Sequence, residues 1–139
     1  MLMKPPSSTS SPRYYLLTAA LLVMGCSASS NLIGPENQLE VNNEPDTFQW
    51  QVSALSAVTQ TLTYSWVNNG TAANVNQSSS LGSGSADLQI LDAGGVEVYA
   101  GDLTQNGTFQ TRTGAQGSWT VTVTLTKANG TLNFRLQKP

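Results

Sequence analysis

The 139-residue sequence predicts an all-β fold, an antiparallel two-sheet sandwich of seven to eight strands, jelly-roll-like, with an immunoglobulin-like topology as the alternative. Three observations carry that prediction. Apolar side chains recur with a period of two from Phe48 onward, the pattern of half-buried strands. Clusters of Gly, Asn, Asp and Ser punctuate the alternating runs, and no convincing helical period replaces them. The part of the chain beyond residue 25 has 114 residues, enough for one core and too few for two.

The elements follow in order. Residues 26–45 begin Ser-rich, carry Pro35 and Pro45 and show little periodicity; they read as a flexible tether, with the domain at 46–139. Phe48, Trp50, Val52 and Ala54 alternate with Gln49, Gln51 and Ser53, and Leu62, Tyr64 and Trp66 alternate with Thr61, Thr63 and Ser65, which predicts two early strands. A weaker third strand is expected through Ala73 to Val75. The low-complexity run from Gln77 to Ser85 lacks apolar content and reads as an exposed, mobile loop. After Asp92, a three-residue loop of Ala93, Gly94 and Gly95 sets Ile90 against Val98 and supplies the left-handed glycine such loops require. Phe109 anchors a strand near Gly107 to Arg112, and Trp119 to Leu125 is the longest alternating run. Asn129-Gly130 is a strong hairpin signal that pairs Leu125 with Phe134 and Val123 with Leu136. In that register Thr122, Thr124 and Thr126 lie opposite Gln137, Arg135 and Asn133 on the wet face.

Residues 1–25 have the three parts of an export signal: Lys4 and Arg13 in front, an apolar stretch of about a dozen residues, and a small-residue exit at Gly25. The stretch is shorter than the roughly 20 residues a membrane-spanning helix needs. It ends in Val23-Met24-Gly25-Cys26, and Cys26 is the only cysteine of the chain. This tetrapeptide resembles the lipobox of bacterial lipoproteins. The resemblance implies a diacylglycerol on the Cys26 sulfur, cleavage between Gly25 and Cys26, and acylation of the new amino terminus. Each buried methylene holds an acyl chain to the bilayer by about 0.8 kcal/mol, so one chain binds marginally and two or three bind stably. Ser27, where an aspartate is absent, resembles the signal for transfer to the outer membrane in bacteria that have one. The expected location is therefore the cell envelope, with the membrane as partner through Cys26.

Charge narrows the ligand classes. The whole chain has a net charge of −2, and without Lys4 and Arg13 the remainder stands at −4. Such a domain has no basic footprint for nucleic acid and no polybasic patch for anionic lipid. Only 10% of residues are charged, so the wet faces are built from Ser, Thr, Asn and Gln.

The segments Ala86 to Tyr99, Gly114 to Val123 and Gly130 to Phe134 contain an Asp-x-x-Gly turn between strands and the string Gly117-Ser118-Trp119-Thr120-Val121-Thr122-Val123. In this they resemble the bacterial pre-peptidase C-terminal domain, over roughly residues 46 to 137. The resemblance implies a jelly-roll sandwich on secreted proteins, usually appended to a peptidase. Within these 139 residues no catalytic domain is expected beside the module, and a fold likeness does not carry function with it.

Catalytic chemistry finds little material. Histidine is absent, which removes the commonest general base and zinc ligand. Asp87, Asp92, Glu97 and Asp102 recur every five residues, a spacing that alternates faces on strands and builds no shared acid pair. A calcium site through Asp92 or Asp102 lacks the ligand density of a loop motif. No metal or other cofactor is expected. Trp50, Trp66 and Trp119 sit on apolar alternating faces and read as core, whereas Tyr99 is expected to point outward and form a small surface patch with Leu91. The four Asn-x-Ser/Thr matches, at Asn69, Asn76, Asn106 and Asn129, read mainly as turn chemistry. The expectation is a non-catalytic, lipid-anchored envelope protein whose sandwich binds an envelope protein or glycan, or contributes structurally. Its contact surfaces are the outward Thr/Asn/Gln faces and residues 77–85. The alternative is an accessory or inhibitory subunit of a secreted hydrolase.

Overall fold

The computed structural model describes Met3 and residues 31–139. The export signal, with Gly25 and Cys26, lies outside the described residues. Apart from a single 3-10 turn at Pro35–Asn37, the regular elements are strands: β1 (Glu40–Glu44), β2 (Thr47–Asn68), β3 (Asn74–Gln77), β4 (Ser80–Leu91), β5 (Glu97–Asp102), β6 (Gly107–Gln110) and β7 (Gly117–Gln137). Every pairing between them is antiparallel. The all-β sandwich expected from the period-two pattern is the fold found.

Its construction is unlike a set of short hairpins. β2 has 22 residues and β7 has 21, and they pair along their whole length from Thr47↔Gln137 to Asn68↔Gly117. On the other side of β7, β3 and β4 follow one another in nearly one register, from Asn74↔Gln137 to Leu91↔Thr120. These long ribbons fold over in the middle. Phe48 and Tyr64 belong to the same strand, yet their rings are 5.4 Å apart. The Trp50 indole N–H donates to the Tyr64 hydroxyl at 2.9 Å. In a straight strand residues 48 and 64 would be separated by roughly 53 Å.

The fold-over creates two layers from one hydrogen-bonded sheet. One layer runs β1, the first half of β2, the second half of β7, β3 and β6; the other runs the second half of β2, the first half of β7, β4 and β5. The corner lies where register shifts interrupt β2 between Val52 and Gln60 and β4 between Leu81 and Ser85. Left-handed backbone gathers at the same place: Ala54 (φ 50°), Ala57 (φ 49°), Gly84 (φ 79°), Lys127 (φ 46°) and Gly130 (φ 134°). Extra residues in a ladder bend and twist a strand, which is what a corner needs. Asn129 braces the bend, because its carboxamide accepts from Ala57 N–H at 2.9 Å and donates to Ser83 Oγ at 2.9 Å and to the Lys127 carbonyl at 3.0 Å. One side chain thus ties all three ribbons.

Between the layers lies a single apolar core. Phe48, Trp50, Trp66, Trp119 and Phe134 are fully buried. Trp50 stacks on Phe134 with centroids 5.6 Å apart, and Trp66 meets Trp119 edge-on at 5.9 Å. The tryptophans are core residues, as their alternating faces predict.

Several expectations are corrected. Phe48–Ala54 and Leu62–Trp66 are not separate strands but two halves of β2. Asn129-Gly130 makes no hairpin: both residues lie inside β7, so Leu125 pairs with Gln60 and Ala86, and Phe134 with Trp50 and Gln77. Residues 77–85 are exposed over most of their length, as expected, but they form strand and corner rather than a loop, with Gln77 and Ser79 buried. At Gly84 the β7 backbone approaches too closely for a larger residue. The expected tether is in part folded: β1 pairs with β2, and the buried Asn37 donates to the Ser53 and Ala54 carbonyls at the bend. The packed domain therefore includes residues from Asn31 rather than from residue 46. The β4–β5 loop is the three-residue loop expected, closed by Asp92 N–H to the Val96 carbonyl at 2.8 Å with Gly95 at φ 78°. A bulge one residue further on sets Ile90 against Tyr99 instead of Val98.

Candidate functional site

The outward side of the five-stranded layer carries a cross-strand row of polar side chains. Register places Asn42 beside Gln49, Gln49 beside Arg135, Arg135 beside Asn76, and Asn76 beside Thr108, so five strands each contribute one residue. Alternation explains why these residues share a face: Phe48, Trp50, Phe134, Leu136, Val75 and Gln77 on either side of them point inward and are buried. Over four of the strands the row lies in a shallow, open groove of about 390 Å³ lined by Gln49, Asn76, Thr108, Asn133 and Arg135, with Gln77, Ser78 and Gly107 at its wall.

The groove is solvent-open and lined by hydrogen-bonding groups, with one positive charge, that of Arg135. The Thr108 hydroxyl donates to Asn76 Oδ1 at 2.7 Å, and Asn133 donates to Gln51 Oε1 at 3.3 Å. The Gln49 carboxamide and the Arg135 guanidinium have no hydrogen-bond partner among the described residues, and the one ion pair there is Lys138 with Asp46 at 3.1 Å. No carboxylate lines the groove. Glu40 and Glu44 stand on β1, two strands and roughly 10 Å from Arg135. The arrangement offers amide donors and acceptors around a planar cationic fork, and it holds no acid or base for proton transfer.

The wall of the groove is held from beneath. Gln77 points inward, where its amide donates to the Asp102 and Gln105 carbonyls at 3.0 and 2.7 Å and its oxygen accepts from the Tyr99 hydroxyl at 2.8 Å. Asn106 accepts from Ser79 N–H at 2.7 Å and donates to the Ser79 carbonyl at 3.0 Å. These bonds fix β3 and its exit against the β5–β6 connection, so the groove is preformed.

The predicted outward patch of Tyr99 and Leu91 takes a different shape. The bulge turns Tyr99 toward the core, where it packs beside Phe109 with centroids 6.4 Å apart and is half-buried; burial pushes its phenol above the ordinary value. Leu91 is half-buried opposite Glu97, so the two do not face one another across the ladder. Asp87 and Asp102 are cross-strand neighbours on the other layer, but Asp102 is occupied by the Thr104 hydroxyl and backbone N–H, which lower its carboxyl below the usual range. Among the described residues no group of three or more His, Cys, Asp or Glu side chains converges as a metal site does.

Asp92 is structural. Its carboxylate accepts from Ala115, Val96 and Gly94 N–H groups, each at 2.9 Å, and these bonds, Ala115 first, hold its carboxyl below the ordinary value. The side chain therefore clasps the β4–β5 turn to the segment before β7. A carboxyl with a lowered folded value stabilises fully above its unfolded value near pH 4, and that contribution disappears as pH falls through the folded value. Thermal melts from pH 6 to pH 2 should show Asp92→Asn melting lower than wild type at pH 6, with the gap narrowing below pH 4. Coincident curves would mean that the clasp contributes nothing, and a gap that stays constant with pH would mean that its charge does not matter.

No protein-family model matches the chain, and no curated protein sequence is similar to it. The groove was partly foreseeable, since Arg135 and Asn133 fall on the expected wet face. The side built by Asn76 and Thr108 was not, because alternation assigns faces to each strand but does not say that β3 lies beside β7.

Proposed function

We propose that this is a non-catalytic binding protein of the bacterial cell envelope, anchored by lipid at Cys26, with the polar face of the five-stranded layer turned to its ligand. The observation that carries the binding role is the row Gln49, Arg135, Asn76 and Thr108, in which the Gln49 carboxamide and the Arg135 guanidinium lack partners among the described residues. Polar side chains held in fixed positions and open to solvent can supply the orienting hydrogen bonds of a binding site. The absence of acid–base groups in the lining favours binding over turnover. The lipobox-like tetrapeptide supports the anchor, since two or more acyl chains give a stable membrane attachment.

The anchor and the partner are tested together. In bacteria expressing the full chain, labelled palmitate should enter the wild-type protein and not Cys26→Ser, and in-cell crosslinking should enrich discrete envelope components with the anchored form. An unlabelled wild-type protein would sink the anchor, and identical crosslinks in both forms would sink the tethered role.

A second reading follows from the pre-peptidase resemblance: the same face docks a separate secreted hydrolase as an accessory or inhibitory subunit. A hydrolase captured by crosslinking, with activity altered by the purified protein, would favour it.

A further inference from the structure

We propose that the groove centred on Arg135 binds an acidic polysaccharide, its guanidinium taking the carboxylate or sulfate of a sugar while Gln49, Asn76, Thr108 and Asn133 take the hydroxyls. This rests on the binding role proposed above and names the ligand class.

Shape comes first. The groove crosses β2, β7, β3 and β6, about three strand spacings or roughly 14 Å, so it suits a short run of linked rings lying across the strands. Its lining contains no apolar side chain. A peptide held in a groove needs pockets for apolar side chains or an open strand edge for its backbone. Apolar pockets are absent here, and the one open edge beside the groove, that of β6, lies away from its centre on the interior pair β7 and β3. A saccharide presents closely spaced hydroxyls that both donate and accept, which is what carboxamides and a threonine hydroxyl complement.

Charge comes second. Arg135 is exposed and makes neither an ion pair nor a hydrogen bond among the described residues. Its immediate cross-strand neighbours, Gln49 and Asn76, are neutral amides. A guanidinium forms paired hydrogen bonds to a carboxylate or sulfate and is held here at the middle of a fixed sheet. The rest of the domain is acidic, so bulk attraction does not draw a polyanion to it. Affinity for an acidic chain then depends on this one residue.

The test uses full-length lipidated protein in detergent micelles, titrated by calorimetry with polygalacturonate oligomers, dextran sulfate oligomers and neutral cello-oligosaccharides. Wild type should bind one or both acidic series and prefer it over the neutral one. Arg135→Gln should weaken that binding by about tenfold to a hundredfold, the loss expected of a charge-assisted hydrogen bond, and Arg135→Lys should recover part of it. Because Arg135 is exposed and unbonded, Arg135→Gln should melt like wild type. Arg112→Gln, a cation outside the groove, should bind like wild type. Preference for carboxylated over sulfated oligomers identifies the anion.

Equal loss in Arg112→Gln and Arg135→Gln, or no loss in Arg135→Gln, would overturn the groove as the site. Binding of the neutral series alone, or of none of the three, would overturn the acidic ligand class. If crosslinking still captured a discrete envelope partner, the broader binding role would stand without it; if it captured none, both would fall.

Discussion

Gly84→Ala is expected to cost about 2–5 kcal/mol of stability and to lower the urea midpoint markedly. Two effects combine. Gly84 has φ 79°, and a left-handed conformation costs a residue with a Cβ about 1–2 kcal/mol. The added methyl would also overlap the Lys127 carbonyl and lie 2.7 Å from the Thr126 carbonyl oxygen, both backbone groups of the bent β7. Overpacking against backbone costs a further 1–3 kcal/mol or so. The sum is a large share of the roughly 5–15 kcal/mol that holds an ordinary domain together. Two neighbours separate the causes. Gly95→Ala carries the strain alone, with φ 78° and nothing within 4 Å, and should cost about 1–2 kcal/mol. Gly82→Ala, whose nearest neighbour is 3.9 Å away, should stay within about 0.5 kcal/mol of wild type. Urea unfolding followed by tryptophan fluorescence ranks them, and a Gly84→Ala protein as stable as Gly82→Ala would mean that β4 and β7 do not touch at the corner.

Trp50→Ala should cost about 3–5 kcal/mol, the usual loss for deleting a fully buried aromatic side chain. Trp50 stacks on Phe134 in its own layer and donates across the interior to Tyr64, so its removal opens a cavity where the layers meet. Tyr64→Phe keeps the ring and deletes only the acceptor, for an expected loss of about 1 kcal/mol. A double-mutant cycle between Trp50→Phe and Tyr64→Phe should show coupling of about 0.5 kcal/mol or more, because both single changes break the same bond. Strict additivity would mean that the two halves of β2 do not face one another through this bond.

Much of the fold was legible because alternation reports burial directly: Phe48, Trp50, Trp66, Val121, Val123 and Phe134 are all buried as their parity predicts. What parity cannot distinguish is a hairpin from a bulged bend. In β7 the buried positions change from odd, Trp119 to Leu125, to even, Ala128 to Leu136. A two-residue turn at Asn129-Gly130 imposes that change, and so does the bend at Lys127 to Gly130. The same tolerance of left-handed backbone serves either structure, so the local signal was sound and its long-range meaning was open. The Ser/Gly run at 78–85 misled for a related reason. Low apolar content marks a disordered segment, but it also marks a place where three backbones come together.

The site followed the same rule. Arg135, Asn133 and Gln49 each read as outward from one strand alone, whereas their convergence with Asn76 and Thr108 depends on strand order. Tyr99 reversed its expected direction through a single bulge between Ile90 and Leu91 in the β4–β5 ladder.

The dominance of β7 has a kinetic consequence. It is the last strand in chain order, and it lies between β2 on one side and β3 and β4 on the other. Without it β2 keeps only β1, and β3 and β4 keep only the short β6 and β5. A growing polypeptide therefore has no stable sheet to form until its final strand is available, when Thr47 meets Gln137 across the longest loop in the domain. Closing such a loop is entropically unfavourable before its contacts compensate, so folding should be slow and all-or-none. Until then the molecule remains an open chain, the form in which a polypeptide is threaded through a narrow channel.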